Sequence, residues 1–429
     1  MLFHSTGGQE KACTLSHAIM SGLASDGGLY VPDKLPVVDW VSCDVTGSYA
    51  DFAVQVLAPF FKDDKLSVAL KAICTQAFTF PTEMVALDEG LHVMELFHGP
   101  TVSFKDYGCR FLAGCLNQLA SNNKLTVMVA TSGDTGSAVA AAFHDKPNVN
   151  VIVLYPKGRV TPRQAHQISC WGDNVLSLCV DGSFDDCQRL VKAALSDNKW
   201  QERYALTTSN SINIARLMPQ IVFYAYTSCQ YMQAYHKMPG YIVPSGNLGN
   251  ITAAFWAKAM GFPMREIAMA TNANTVMSDF ISQGTFTPRA SVATLATAMD
   301  VGAPSNVERL MCHFSDWEMI KDHMSVYSVS DAQIQKAIVD CHQAKGYVMC
   351  PHTATAMHVY QQVDSSPWIV AATAHPSKFE QVIHPLLNQE IAIAPQLQQL
   401  LERSASVIEV AADLDAIRKT CDTYFSHML

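Results

Sequence analysis

The chain has 429 residues, 49% of them apolar and only 16% charged, with 38 acidic against 29 basic side chains and a net charge of −9. That length exceeds what one hydrophobic core sustains, so two or three domains are expected, and the composition excludes a disordered or fibrous chain. No basic run stands out, which excludes nucleic acid as the main partner and leaves any small anionic substrate to local cationic groups.

The N-terminus MLFHSTGGQEK lacks the basic start and apolar core of a signal peptide, and no stretch is apolar for long enough to span a bilayer. A soluble, cytoplasmic protein without a membrane partner is therefore expected. Thirteen cysteines are scattered without a CxxC pair or zinc-site spacing, and they read as small buried hydrophobes in a reducing compartment.

Residues 1–90 form a mixed N-terminal segment. Its pattern predicts a helix near 15–23, the turn Asp26-Gly27-Gly28, an extended stretch at 29–32, a helix near 49–61 and a close near Pro81. Beyond residue 91, apolar runs alternate with amphipathic stretches. Strands are expected at 125–130, 151–155, 175–180, 241–243, 267–270 and 368–372. Helices are expected at 104–120, 135–144, 184–196, 212–236, 252–260, 332–344 and 353–363. This alternation predicts an α/β fold with mostly parallel sheets.

Four segments could carry chemistry. In ELFHGPTVSFKD (95–106), a Gly99-Pro100 turn leads into a helix that opens with Lys105 between Phe104 and Asp106. The positive helix end and an apolar neighbour both favour a neutral amine, as a Schiff-base lysine requires. Taken alone, an ordinary lysine at a helix start is the commoner case. Thr131-Ser132-Gly133-Asp134-Thr135-Gly136 follows a strand and opens an Ala-rich helix. It reads equally as an anion-binding turn and as a plain cap.

Pro244-Ser245-Gly246-Asn247-Leu248-Gly249-Asn250 also joins a strand to a helix, in the form of a phosphate cradle but without P-loop or GxGxxG spacing. A simple strand-to-helix turn is the competing reading. Thr373, at the end of the 368–372 strand, is the last and weakest of the four signals. His98 and His375 read as structural hydrogen-bonders, and Asp185 and Asp186 as helix caps. His352 and His358 lack the spacing of a helical metal site, and no metal is expected.

HGPTVSFKD, ATSGDTGSAV, VIVLYPKG, TSNSINIAR, VPSGNLGN and TAHPSKF, in this order and spacing, resemble the threonine synthase family in its long bacterial and fungal form. GLASDGGLYVP extends the likeness over nearly the whole chain. The resemblance implies a fold-type II pyridoxal-phosphate (PLP) enzyme, similar to tryptophan synthase β: two open α/β parallel-sheet domains plus an N-terminal segment. The corresponding divisions are 1–90 for that segment, 91–200 for a smaller domain with the PLP lysine, and 201–429 for a larger PLP-binding domain.

The resemblance further implies that Lys105 is the Schiff-base and proton-transfer residue. Gly246, Asn247, Leu248, Gly249 and Asn250 would surround the cofactor phosphate, Asp134 would lie beside the cofactor, and Thr373 would face the pyridine nitrogen. Ser132 and Thr135 would meet the substrate carboxylate. Asn210, Ser211 and Arg216 would hold the substrate phosphate, Arg216 through bidentate contacts.

The implied reaction takes O-phospho-L-homoserine and water to L-threonine and phosphate through a PLP external aldimine. On the same residues the alternative is a phospholyase giving 2-oxobutyrate, ammonia and phosphate. A PLP-binding protein without catalysis is disfavoured by the retained lysine, loop and Arg216. A monomer or homodimer acting on a small molecule is expected. Three positions depart from the family pattern: Gly7 where Arg is common, Asn250 where Asp is frequent, and the unusually basic KGRVTPRQAHQI with Arg159 and Arg163.

Overall fold

The computed structural model describes residues 1–120, 124–364 and 366–426. Its strands are β1 (Phe3–Ser5), β2 (Tyr30–Pro32), β3 (Glu83–Asp88), β4 (Leu91–Glu95), β5 (Leu125–Ala130), β6 (Val149–Pro156) and β7 (Val175–Asp181). They continue with β8 (Leu206–Thr208), β9 (Gly240–Pro244), β10 (Ile267–Thr271), β11 (Ser325–Ser328), β12 (Trp368–Ala372) and β13 (Ile408–Ala411).

Two sheets organise the molecule. One has six strands in the order β11-β10-β9-β12-β4-β3, parallel except for the antiparallel pairing of β3 with β4. The other has five parallel strands in the order β13-β7-β6-β5-β8. The N-terminal segment adds an antiparallel ribbon of β1 and β2.

Every run expected as a strand lies within an observed one, because these central strands are covered on both faces and need continuous apolar sequence. β5 and β6 are buried at every position. The strands that the pattern missed include β3, β11 and β13 at sheet edges, where one side faces solvent and no apolar run is required.

Sheet membership crosses the divisions expected at 90/91 and 200/201. β4 joins the six-stranded sheet, whereas β8 and β13 join the five-stranded one. Parallel neighbours are reached through crossovers, so residues distant in sequence share a sheet and no single cut separates the two.

The long helix Ile214–Tyr235 packs against the helices Tyr49–Leu57, Lys105–Leu119 and Gly249–Ala259. It begins two residues later than the pattern suggested, because the Asn213 side chain caps it by accepting from Ala215 N at 3.0 Å. Gly108 permits its close contact with the Lys105 helix: a Cβ there would lie 2.6 Å from the carbonyl oxygen of Arg216. This approach sets Arg216 beside the Lys105 helix. Among the described residues, no helix is long and apolar enough to cross a membrane.

Candidate active site

The carboxyl ends of β4, β5, β8, β9 and β12 lead into loops that meet at one cleft, as expected for ligand sites in open parallel sheets. Lys105 opens its helix there. The turn that delivers it is held by Asp106, whose two oxygens accept from Thr101 N at 2.9 Å and Thr101 Oγ1 at 2.7 Å. Phe104 N donates to Thr373 O at 2.9 Å and ties the helix start to the end of β12.

The Lys105 amine lies 3.8 Å from Asp134 Oδ2. Burial lowers its pKa; Asp134 opposes that shift, while the positive charges of Lys378 and Arg216 reinforce it. Asp134 is itself buried, which alone would raise its pKa. The charges of Lys378 and Lys105 outweigh that effect and hold its carboxyl well below the usual range. Lys378 Nζ lies 2.7 Å from Asp134 Oδ1, which also accepts from Gln164 Nε2 at 2.9 Å.

The turn before Asp134 is built around Thr131. Its Oγ1 accepts from Gly133 N at 3.0 Å and Gly136 N at 2.8 Å, so the hydroxyl organises the start of the helix Asp134–Phe143.

The loop after β9 has the form of an anion cradle. Leu248 adopts a left-handed conformation (φ 63°) and the helix Gly249–Ala259 starts directly after it, earlier than the expected 252. A Cβ on Gly246 would lie 2.7 Å from Met299 Cα, so backbone packs directly over the loop. Ser245 Oγ and Asn250 Nδ2 are buried and have no hydrogen-bond partner among the described residues, while Asn250 Oδ1 accepts from Tyr224 Oη at 2.7 Å.

Asn247 joins this loop to the segment after β8, donating to Ser211 Oγ at 2.5 Å and accepting from Ser305 N at 2.7 Å. In that segment Arg216 is 3% exposed, donates through Nη1 to Ser209 O, and has a buried Nε with no partner among the described residues.

Lys105, Ser132, Asp134, Thr135, Asn210, Ser211, Arg216, Gly246, Asn247, Leu248, Gly249, Asn250 and Thr373 all line this cleft. His98 and His375 do not. His98 pairs with Glu95 at 2.9 Å, and the His375 Nδ1 lies 2.7 Å from Ser377 Oγ at the head of a short turn. Asp186 forms a capping box with Ser183, whereas its neighbour Asp185 lines the cleft. Gly7 lies in a second groove with Thr6, Asp26 and Glu308.

Sequence reasoning did not place Lys378, His352 or Arg309 at the site. Lys378 stood within a quoted motif, yet nothing in its spacing revealed the partner 244 positions away. His352 lines the cleft; its Nε2 accepts from Ala298 N at 3.0 Å, and burial pulls its pKa down to about 4. Arg309 is fully buried and donates to Tyr30 O, Ser211 O, Ile212 O and Asn306 Oδ1, linking the N-terminal ribbon to the cleft wall.

Residues 78–371 match the pyridoxal-phosphate dependent enzyme family, residues 2–78 the threonine synthase N terminus, and residues 353–421 the threonine synthase C-terminal region. A threonine synthase of Haemophilus influenzae is 34% identical over 394 residues, covering 91% of this chain and 92% of its own. The crystal structure of threonine synthase from Escherichia coli superposes with a TM-score of 0.92 at 32% identity, covering 99% of this chain and 100% of that one. A PLP-bound threonine synthase from Brucella melitensis gives 0.92 at 30% identity, covering 99% of each chain. With these matches spanning nearly its whole length, the chain belongs to the threonine synthase family, PLP-dependent lyases of fold type II.

Proposed function

We propose that this enzyme converts O-phospho-L-homoserine and water to L-threonine and phosphate, with Lys105 holding the cofactor covalently and moving protons. Arg216 carries the substrate reading: a buried guanidinium with an unpartnered Nε, in the same cleft as Lys105, suits a phosphate ester. The likeness to threonine synthases over nearly the whole chain supports the choice of ester.

Pyridoxal phosphate fits the residues present. The Gly246–Asn250 loop offers a helix N-terminus and the buried, unpartnered Ser245 Oγ and Asn250 Nδ2 to a phosphate. Thr373 offers an uncharged hydroxyl from the end of β12, which suits a pyridine nitrogen that stays largely unprotonated. When bound, the cofactor supplies the electron sink for negative charge at the substrate α-carbon.

The chain's own residues do the rest. Ser132 and Thr135 hold the substrate carboxylate at the head of the Asp134 helix. Asn210, Ser211 and Arg216 hold its phosphate until it leaves. Lys105, neutral once freed, takes the α-proton and relays protons to the β and γ carbons. Cytoplasmic residence belongs to the same proposal and is supported by thirteen cysteines that are all unpaired.

The test is to incubate the PLP-loaded enzyme with O-phosphohomoserine and measure phosphate, threonine and 2-oxobutyrate together. Equal phosphate and threonine are expected. Phosphate with 2-oxobutyrate would move the assignment to a phospholyase, and no phosphate would overturn the substrate.

A further inference from the structure

Asp134 is shared by two lysines. Lys378 is 1% exposed and lies 2.7 Å from Asp134 Oδ1, while its amine also donates to Thr101 O at 2.9 Å. With Gln164 Nε2 also on Oδ1, that oxygen is occupied twice and the carboxylate is fixed. Lys105 is left with Oδ2 at the longer distance of 3.8 Å. Lys378 stands on the short turn Pro376–Phe379, next in sequence to the β12 end that supplies Thr373.

We propose that Lys378 is a positioning residue that absorbs the charge of Asp134, so that the Lys105 amine stays neutral and nucleophilic beside a fixed carboxylate. This rests on the role proposed for Lys105.

A fully buried amine, Lys378, and a largely buried one, Lys105, compete for one carboxylate, and the nearer amine wins it. The charged and titratable groups facing Lys105 are Asp134, Lys378, Arg216, Cys109 and the buried His352. Asp134 favours the ammonium form of Lys105; Lys378 and Arg216 disfavour it. His352 also acts on Asp134, and Lys378 has Asp106 and His375 in its neighbourhood. Asp106 is committed to Thr101 through both oxygens, and His375 to its own turn.

Deleting the Lys378 charge would therefore remove one repulsive neighbour of Lys105 and release Asp134 to it. Both changes have the same sign, and a unit charge a few ångströms away inside a protein shifts a pKa by on the order of one unit or more.

The experiment titrates Lys105 in the full-length apoprotein by competitive acetic anhydride labelling across pH, read from its peptide by mass spectrometry. Lys378→Met is expected to raise the Lys105 midpoint by about one unit or more and to slow PLP capture near neutral pH about tenfold. Adding Asp134→Asn to Lys378→Met removes both charges and should reverse the rise. An unchanged midpoint in Lys378→Met would overturn the proposal, as would a rise that persists in the double variant.

If Lys378→Met does not fold, Lys378→Gln, which keeps a donor for Thr101 O while removing the charge, takes its place with the same expected rise; an unchanged or lowered midpoint would overturn the proposal. Because the labelling is done without cofactor, it is independent of where the cofactor attaches. Mapping of a borohydride-reduced holoenzyme tests that separately.

Discussion

Replacing Arg309 with methionine should detach the N-terminal ribbon from the cleft wall while keeping most of the buried stem. The native guanidinium donates to Tyr30 O at 3.1 Å, Ser211 O at 3.2 Å, Asn306 Oδ1 at 2.7 Å and Ile212 O at 2.6 Å. All four acceptors are uncharged, and burial pulls the Arg309 pKa down to about 9, so the cation's own desolvation offsets part of what these bonds contribute.

Removing the donors leaves four oxygens short of a partner, at about 1–3 kcal/mol for each that water cannot reach. The net destabilisation expected is about 3–5 kcal/mol. Asn306 also donates to Asn247 O at 2.9 Å, so the loss should reach the Gly246–Asn250 loop and weaken PLP binding about tenfold. Urea unfolding of the apoprotein and a fluorescence titration with PLP read the two effects separately. A variant within about 1 kcal/mol of the parent, with unchanged PLP affinity, would refute this linkage.

Lys105→Ala should fold, bind PLP without a covalent link and release no phosphate from O-phosphohomoserine; near-normal release would remove Lys105 from the mechanism. Gly246→Ala would place a Cβ 2.7 Å from Met299 Cα, a backbone atom that cannot swing away. It should therefore lower stability by about 1–3 kcal/mol and weaken PLP binding, as measured by the same unfolding and titration.

The buried His352, with a pKa near 4, lies below its unfolded value of about 6.5, so the unfolded chain takes up the extra proton between them. Stability from this site is complete above about pH 6.5 and is lost as pH falls toward 4. His352→Gln retains an acceptor for Ala298 N without titrating, so the stability advantage of the parent over this variant should shrink across that window. A constant difference in urea unfolding would count against it.

What could be read from the sequence follows from how local each signal is. The central strands announced themselves because burial on both faces forces continuous apolar runs, as in β5 and β6. The glycine-rich turns after β5 and β9 were visible because strand, turn and helix follow one another within a few residues. Lys105 was visible as a candidate from its place at a helix start, but a lysine there is common and the resemblance was needed to prefer it; Arg216, inside a long and mostly apolar helix, was named only through that resemblance.

Lys378 and Arg309 stayed hidden, and His352 was considered only as a metal ligand, because their partners lie far away in sequence: Asp134 for Lys378, Tyr30 for Arg309 and Ala298 for His352. The expected divisions at 90 and 200 missed the sheet arrangement for the same reason, with β13 returning to pair with β7.

The most direct test of the site is to reduce the PLP-loaded enzyme with borohydride and map the phosphopyridoxyl label by peptide mass spectrometry. A single label on Lys105 is predicted. A label on Lys378, the second lysine at Asp134, or on a surface lysine, would contradict the assignment of the cleft and of the residue at its centre.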